Sequence, residues 1–94
     1  MRTIERSGAF RRDYKRAKAS PRHREQVDRL VAGVVTLLAA DRDLPPSYRD
    51  HALVGDWSGY RECHLRPDLL LIYRKPDDDT LRLARLGSHS ELFG

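Results

Sequence analysis

Apolar and polar positions in the first twenty residues predict a short strand followed by an amphipathic helix. The strand covers Arg2–Arg6, and Ser7 is a favourable N-cap for a helix that continues to about Ala19. Along this helix the apolar residues recur with the spacing i, i+4, i+7, which places them on one face. These residues are Phe10, Tyr14 and Ala17. Most of the remaining surface is arginine and lysine.

A second helix is predicted from Ser20-Pro21 to about Ala40. Serine can cap a helix and proline fits the first helical position, so this pair marks a helix start. An apolar stripe with a period of 3.6 residues then follows, formed by Val27, Leu30, Val31, Val34, Leu37 and Leu38. Two helices joined by a short link are expected to pack as a hairpin. Their apolar faces need a third surface to cover.

The second half of the chain predicts strands that supply this surface. The segments are His51–Val54, Tyr60–Leu65, Leu69–Tyr73 and Thr80–Leu86, followed by a short helical turn over Ser90–Phe93. Alternation places Tyr60, Glu62 and His64 on one face of the second segment. Leu69–Tyr73 is continuously apolar, which is typical of a central strand covered on both sides. The order predicts an α+β fold in which an N-terminal strand and a helix hairpin pack on a mainly antiparallel, twisted sheet.

Composition fits a single globular domain over residues 1–94, with 39% hydrophobic and 34% charged residues. No stretch approaches 18 apolar residues, so no membrane span is predicted. The N-terminal residues lack the apolar region of a signal peptide. Cys63 is the single cysteine, which excludes an internal disulfide and a cysteine-based zinc site. These features together favour a reducing, cytoplasmic location.

Basic residues concentrate in the N-terminal third of the chain. Residues 1–30 carry ten Lys or Arg against four Asp or Glu, a net charge of +6, whereas residues 31–94 carry eight against ten, a net charge of −2. Arginine outnumbers lysine fifteen to three, and its planar guanidinium binds phosphate oxygens in pairs. The distribution favours a surface that faces nucleic acid. The plainer alternative is a GC-rich genome and solvated helix faces.

Four side chains suited to proton transfer lie in the second half of the chain, namely His51, His64, Asp68 and His89. In RNA the ribose 2′-OH can attack the adjacent phosphorus when a base removes its proton and an acid protonates the leaving 5′-oxygen. A cation must also stabilise the dianionic intermediate. Histidine suits both proton-transfer roles because its ordinary pKa lies near neutrality. The set therefore predicts cleavage of a phosphodiester without a metal or another cofactor.

Further residues fit the supporting roles in such a reaction. Arg61 or Arg85 can face the phosphate, and Phe93 can stack on an unpaired base. Trp57 fits either stacking on RNA or packing at the rim of the core. Each histidine taken alone also fits an ordinary surface or core position. A zinc site built from the three histidines and Asp68 is the competing chemistry, although no two of them have a tight metal-ligand spacing.

Three segments of the chain resemble the mRNA interferase toxins of the RelE/ParE superfamily, in particular the YafQ branch. The segments are Leu44–Leu53, Gly59–Asp68 and Leu86–Gly94. Together they contain the pattern Asp-His-x-Leu, Gly-Tyr-Arg-x-x-His-x-x-Pro-Asp and Gly-x-His-x-x-Leu-Phe. The likeness extends over the whole chain and implies a RelE-like fold.

The resemblance implies a toxin of a type II toxin–antitoxin pair that enters the ribosomal A site and cuts translated mRNA without a metal. It carries catalytic or substrate roles onto His51, His64, Asp68, His89 and Phe93. His51 or Asp68 is the expected base and His89 the expected acid. Arg85 becomes a phosphate contact, although strict strand alternation would place it beside Leu81 and Leu83.

The same resemblance implies a cognate antitoxin with an acidic, partly disordered segment, and contact with operator DNA only through that antitoxin. Two other functions remain open on the sequence. One is a ParE-like toxin of the same fold that binds a topoisomerase and cleaves nothing, for which the proton-transfer groups would have no use. The other is a passive basic domain that binds nucleic acid with a strong salt dependence.

Overall fold

The computed structural model describes residues 1–94 as five strands and three α-helices. The strands are β1 Thr3–Arg6, β2 His51–Ala52, β3 Arg61–Arg66, β4 Leu69–Arg74 and β5 Thr80–Gly87. The helices are α1 Gly8–Ala19, α2 Val27–Ala39 and α3 His89–Phe93, with single 3₁₀ turns at Pro46–Tyr48 and Gly55–Trp57. None of the helices has the length and apolar character needed to cross a membrane.

The strands form one sheet in the order β1-β5-β4-β3-β2. β1 pairs with β5 in parallel, and every other neighbouring pair is antiparallel. β4 therefore lies at the centre of the sheet, and Leu69–Tyr73 is buried along its whole length. The structure confirms the predicted central strand, the antiparallel meander and the α+β class.

The two faces of the sheet are covered differently. On one face, which we call the helix face, α1 and α2 close a core of sixteen buried residues that includes Phe10, Val34 and Leu71. The opposite face, which we call the open face, buries only Leu70, Ile72, Ala84 and Leu92. It is covered in part by α3 and by the segment between β2 and β3. The predicted alternation along β3 is confirmed, because Cys63 and Leu65 join the helix-face core.

Helix α1 begins where its capping residue predicts. The Ser7 hydroxyl accepts a hydrogen bond from the Phe10 backbone N–H at 2.9 Å and donates one to the Ala84 carbonyl at 2.8 Å. The first bond satisfies a backbone donor at the start of the helix. The second fixes the helix start against β5, so one side chain sets both where α1 begins and where it docks.

The predicted start of the second helix is wrong. Pro21–Gln26 forms consecutive hydrogen-bonded turns, and the regular helix begins only at Val27. The Ser20 hydroxyl accepts from the Arg22 N–H in this segment. Its six residues are proline or polar, whereas the apolar stripe begins at Val27. Since tertiary burial of an apolar face supplies most helix stability in proteins, nothing selects a regular helix before that residue.

A bulge in β5 breaks the simple alternation of that strand. The register with β4 shifts between Ile72 and Tyr73, so that Arg85 lies opposite Ile72 and Leu83 lies opposite Tyr73. Ala84 consequently joins the open-face core, while Leu86 returns to the helix-face core. Strict alternation placed Arg85 with the leucines of the helix face, and the bulge makes that placement wrong.

Candidate active site

A buried carboxylate holds two of the predicted histidines on the open face. Glu62 Oε2 lies 3.6 Å from His51 Nε2, and Glu62 Oε1 lies 3.4 Å from His64 Nε2. The two imidazole rings are 6.3 Å apart between centroids. The Glu62 side chain is 6% exposed, while those of His51 and His64 are 51% and 26% exposed. Glu62 thus lies beneath two rings that remain open to a substrate.

Strand register brings these three residues together. His51 of β2 lies directly opposite Glu62 of β3, and His64 is the next residue of β3 on the same face. Sequence analysis did not assign Glu62 to the site. The alternation along β3 had already placed Glu62 beside His64, and that was the available signal. The contact with His51 depends on the β2–β3 pairing, which no local pattern specifies.

The backbone before β2 orients the His51 ring. His51 Nδ1 lies 2.6 Å from the Arg49 carbonyl oxygen. A carbonyl only accepts, so Nδ1 carries the hydrogen, and in the neutral ring Nε2 keeps its lone pair. Arg49 has left-handed backbone dihedrals, φ 50° and ψ 43°, which are uncommon for a residue other than glycine. This backbone presents the carbonyl that fixes the tautomer of His51.

His89 and Phe93 lie one helical turn apart on α3. Their ring centroids are 4.9 Å apart, and Trp57 meets Phe93 edge-on at 6.4 Å. Ser88 caps the helix through a capping box with Glu91, whose carboxylate accepts from the Ser88 N–H at 2.8 Å. The cap fixes the first turn, in which His89 lies exposed. The short predicted helical turn is confirmed.

Asp68 lies in a different environment from His51 and His64. Its Oδ2 is 2.7 Å from Arg22 Nη1 and 3.7 Å from His23 Nε2, so its carboxylate faces the turns between α1 and α2.

The zinc alternative required all three histidines and Asp68 to converge. No group of three or more His, Cys, Asp or Glu side chains is arranged to hold a metal ion.

Arg61 lies on the helix face, away from the histidines. It alternates with Glu62 along β3, and its Nε lies 3.2 Å from Asp50 Oδ1. Tyr73 donates a hydrogen bond to the same oxygen at 2.6 Å. Burial and the neighbouring Asp50 carboxylate raise the pKa of Tyr73, so its hydroxyl stays protonated as the donor. This group anchors the residue that precedes His51.

Arg85 is held by a buried carboxylate of α1. Its Nε and Nη2 lie 2.7 and 3.2 Å from the two carboxylate oxygens of Asp13, which also accept from the Leu86 N–H and from Arg16. The Asp13 side chain is 3% exposed and that of Arg85 is 26% exposed. Burial raises the pKa of Asp13, but these hydrogen bonds and the two arginine charges outweigh it and hold the pKa below its ordinary value.

Asp13 was not identified from the sequence. It is the single acidic residue of α1, among five Arg or Lys, but its partner Arg85 lies on β5 and no local pattern predicts that contact. Cys63 behaves as predicted and is fully buried. Burial, followed by the nearby charges of Asp50 and Glu62, raises the pKa of its thiol to about 12. The thiol therefore contributes to packing and does not supply a nucleophile.

Comparison with known proteins identifies the family of this chain. The family model described as bacterial toxin of type II toxin-antitoxin system, YafQ, matches residues 2–94. The mRNA interferase toxin YafQ of Escherichia coli (strain K12) is 42% identical over 94 residues, which covers 100% of this chain and 98% of that relative.

Solved structures agree with the sequence relatives. The crystal structure of YafQ from E. coli strain BL21(DE3) matches with a TM-score of 0.86 at 39% identity, covering all of both chains. A chain of the E. coli DinJ–YafQ complex matches over the same extent with a TM-score of 0.84 at 40% identity. The chain belongs to the YafQ family of bacterial toxins of type II toxin–antitoxin systems, whose curated E. coli members are named mRNA interferases, that is, endoribonucleases.

Proposed function

We propose that this protein is a ribosome-dependent endoribonuclease that cuts translated mRNA without a metal and thereby inhibits translation. The ribose 2′-OH attacks the adjacent phosphorus, the bond to the 5′-oxygen breaks, and the products end in a 2′,3′-cyclic phosphate and a 5′-hydroxyl. The observation that carries the proposal is the pair of partly exposed histidines that share the Glu62 carboxylate. The family relationship supplies the substrate class.

His51 serves as the base that takes the 2′-OH proton. Its Nδ1–H is bound to the Arg49 carbonyl, so the lone pair that accepts the proton lies on Nε2, beside Glu62 in a half-exposed ring. The Glu62 carboxylate then stabilises the imidazolium that forms. Asp68 was the alternative base, but its carboxylate is bound to Arg22. This geometry favours His51 for the role.

His89 serves as the acid that protonates the leaving 5′-oxygen, and Phe93 stacks on an adjacent base. His89 is exposed at the start of α3, and its ring lies against Phe93. A base that stacks on Phe93 therefore brings its own phosphate towards His89. Base–aromatic stacking contributes about 1–3 kcal/mol in single-stranded complexes. Trp57 packs against Phe93 and supports that ring from the side.

Arg85 and His64 stabilise the charge that develops on the phosphate. The bulge brings Arg85 to the face of β4 that carries Ile72, and Asp13 binds two of its nitrogens without burying the side chain completely. Arg61 is the weaker candidate because it lies on the opposite face and is bound to Asp50. Asp68 orients Arg22 and His23 at the edge of the site.

We also propose that a cognate antitoxin binds this protein in the cytoplasm and alone confers contact with operator DNA. The E. coli relative is found in a complex with DinJ. The basic excess of residues 1–30 lies largely on α1, where Arg11, Arg12 and Lys15 are exposed. An acidic, partly disordered antitoxin segment would complement this surface and fold on binding.

The test is primer extension on an mRNA in a reconstituted translation reaction, with and without ribosomes. His89→Ala is compared with Lys15→Ala, an exposed α1 position, and thermal unfolding confirms that both variants fold. New 5′ ends inside the reading frame that require ribosomes and vanish with His89→Ala alone support the proposal.

Two outcomes would contradict it. Cuts on isolated RNA that a chelator abolishes would make this protein a metal nuclease. Absence of cuts from a chain that still arrests growth would point to the topoisomerase-binding alternative. Chelation is tested on isolated RNA because it also dismantles ribosomes.

A further inference from the structure

A groove opens beside His64 at the end of β3. It lies between the 3₁₀ turn Pro46–Tyr48 and the last residues of β3, with Leu30 of α2 at its base. Its volume is about 590 Å³, within the range of sites that hold small organic ligands. We call it the β3 groove. His64 is part of its wall, so its contents lie next to the proposed reaction centre.

The β3 groove is basic and contains no carboxylate. Arg49, His64 and Arg66 line it, and none of its other lining residues is Asp or Glu. The groove beside Asp68 differs, because its cations Arg16, Arg22 and His23 are accompanied by three carboxylates, those of Asp13, Asp68 and Glu91. Electrostatics therefore favour an anion in the β3 groove over the groove beside Asp68.

The two arginines of the β3 groove keep their charge unpaired. Six of the fifteen arginines form ion pairs with carboxylates, and Arg49 and Arg66 are among the nine that do not; the paired ones are Arg2, Arg16, Arg22, Arg61, Arg82 and Arg85. Arg66 instead donates to the amide oxygen of Gln26, which orients the guanidinium without neutralising it. Arg49 is exposed and forms no ion pair.

The backbone of Arg49 couples the β3 groove to the proposed base. Its carbonyl binds His51 Nδ1, while its side chain lines the groove. Arg49 makes both contacts with left-handed backbone dihedrals. Tyr48 precedes it and is half-buried at the groove wall, where its ring can flank a base. The groove thus offers a ring three residues before His51 and two arginines, each two residues from His51 or His64.

We propose that the β3 groove is the subsite for the nucleotide next to the scissile phosphate, with Arg49 and Arg66 contacting a non-scissile phosphodiester. The inference rests on the proposed function and names the part of the mRNA that this side of the site binds. Since arginine binds phosphate through paired charged hydrogen bonds, the contact strengthens mRNA binding and lowers KM. The histidines carry out the reaction at the scissile phosphate, and the two arginines only bind the neighbouring nucleotide.

The test pairs a protein change with a matching RNA change. The protein variant is Arg49→Asn/Arg66→Gln, in which asparagine tolerates the left-handed backbone and so keeps the carbonyl on His51. The control is Arg24→Gln/Arg42→Gln, which removes the same two charges from exposed positions that form no ion pair. The RNA change is a single neutral methylphosphonate linkage on either side of the cleaved bond in a ribosome-bound mRNA.

For the wild type and the control, we expect a neutral linkage at one of the two flanking positions to raise KM about tenfold and leave kcat within about twofold. The Arg49→Asn/Arg66→Gln variant should show the raised KM on unmodified mRNA and no further increase with the neutral linkage. The single variant Arg49→Lys keeps the charge, and its KM for unmodified mRNA should therefore stay close to that of the wild type.

The subsite is wrong if the neutral linkages affect the variant as much as the wild type, or if the control variant loses the same affinity. A wild-type chain that cuts no mRNA at all would instead overturn the proposed function, and the subsite with it. A large fall in kcat in the variant would show that the change disturbed His51, and would contradict the division between binding and chemistry.

Discussion

The two faces of the same sheet use their polar groups in opposite ways. On the helix face, Asp50 accepts from both Tyr73 and Arg61 at hydrogen-bond distance. On the open face, the carboxylate of Glu62 meets His51 and His64 only at 3.6 and 3.4 Å, which exceeds an ordinary hydrogen bond. Asp50 on the helix face thus forms hydrogen bonds within the fold. The Nε2 atoms of the open-face histidines form no ordinary hydrogen bond to Glu62 and can bind a substrate.

Under the proposed function, this chain of 94 residues assigns stability to one face of the sheet and chemistry to the other. Alternation along β3 places Cys63 and Leu65 in the helix-face core. It places Glu62 and His64 on the open face. The proposed function therefore gives one strand both roles, and it predicts that substitutions on the two faces have separable effects. The predictions below use that separation, beginning with the largest expected effect.

The largest effect is expected for Phe10→Ala on the helix face. Phe10 is 1% exposed, and truncating a buried phenylalanine typically costs about 3–5 kcal/mol in unfolding free energy. Urea denaturation measures this loss. Val54→Ala is the control, because Val54 is 84% exposed and should change the unfolding free energy by less than about 0.5 kcal/mol. Equal effects of the two changes would contradict the core assignment.

Asp13→Ala should come next, at about 2–3 kcal/mol, because it leaves the Leu86 N–H and Arg85 without their acceptor. The folded-state pKa of Asp13 is lowered, so its charge stabilises the fold above the unfolded pKa and loses that contribution as the pH falls through the folded pKa. The loss should therefore be full above about pH 4 and shrink below it.

Unfolding free energies measured at several pH values test this prediction for Asp13. Asp13→Asn is the matched variant, because it keeps an oxygen acceptor and removes only the charge. A loss that is independent of pH in both variants would mean that the charge of Asp13 contributes nothing.

A smaller effect, this time on activity alone, is expected for Glu62→Gln on the open face. The substitution keeps the shape and removes the charge that holds His51 and His64. We expect kcat for mRNA cleavage to fall about 10- to 100-fold with KM nearly unchanged, since the carboxylate acts only through the histidines. Single-turnover cleavage on ribosomes measures the rate. An unchanged kcat would show that Glu62 has no part in the reaction.

The smallest effect is expected for Gly33→Ala in α2. A Cβ at this position would meet nothing within 4 Å, and alanine is favoured over glycine within a helix by about 0.5–1 kcal/mol. The variant should therefore be more stable by about that amount and should cut mRNA at the wild-type rate. Thermal unfolding and the cleavage assay measure both. A change in cleavage rate would show that the two faces are coupled.

Local patterns were sufficient to predict the parts of the fold that local physics determines. The Ser7 cap and the spacing of Phe10 and Tyr14 specify α1, and the continuous apolar run in Leu69–Tyr73 specifies the central strand. Pro21–Gln26 was mispredicted because a favourable helix start has no effect where no apolar face follows it.

The parts of the site that were missed depend on tertiary pairing. Glu62 meets His51 only through the register of β2 with β3, and Asp13 meets Arg85 only where α1 crosses β5. The bulge that takes Arg85 out of the row of helix-face leucines leaves no mark in the apolar pattern of β5. Residue chemistry singled out the individual histidines as candidates, and alternation along β3 placed Glu62 beside His64, but no local pattern predicts the contact of Glu62 with His51.

The central claim is that the open face carries the chemistry and the helix face carries the stability. The most direct test is to measure, on one His51→Ala/His64→Ala double variant, both the cleavage rate on ribosome-bound mRNA and the unfolding free energy. The account predicts that cleavage falls by at least about 100-fold, while the unfolding free energy stays within about 1 kcal/mol of the wild type. Wild-type cleavage by a folded double variant would contradict it.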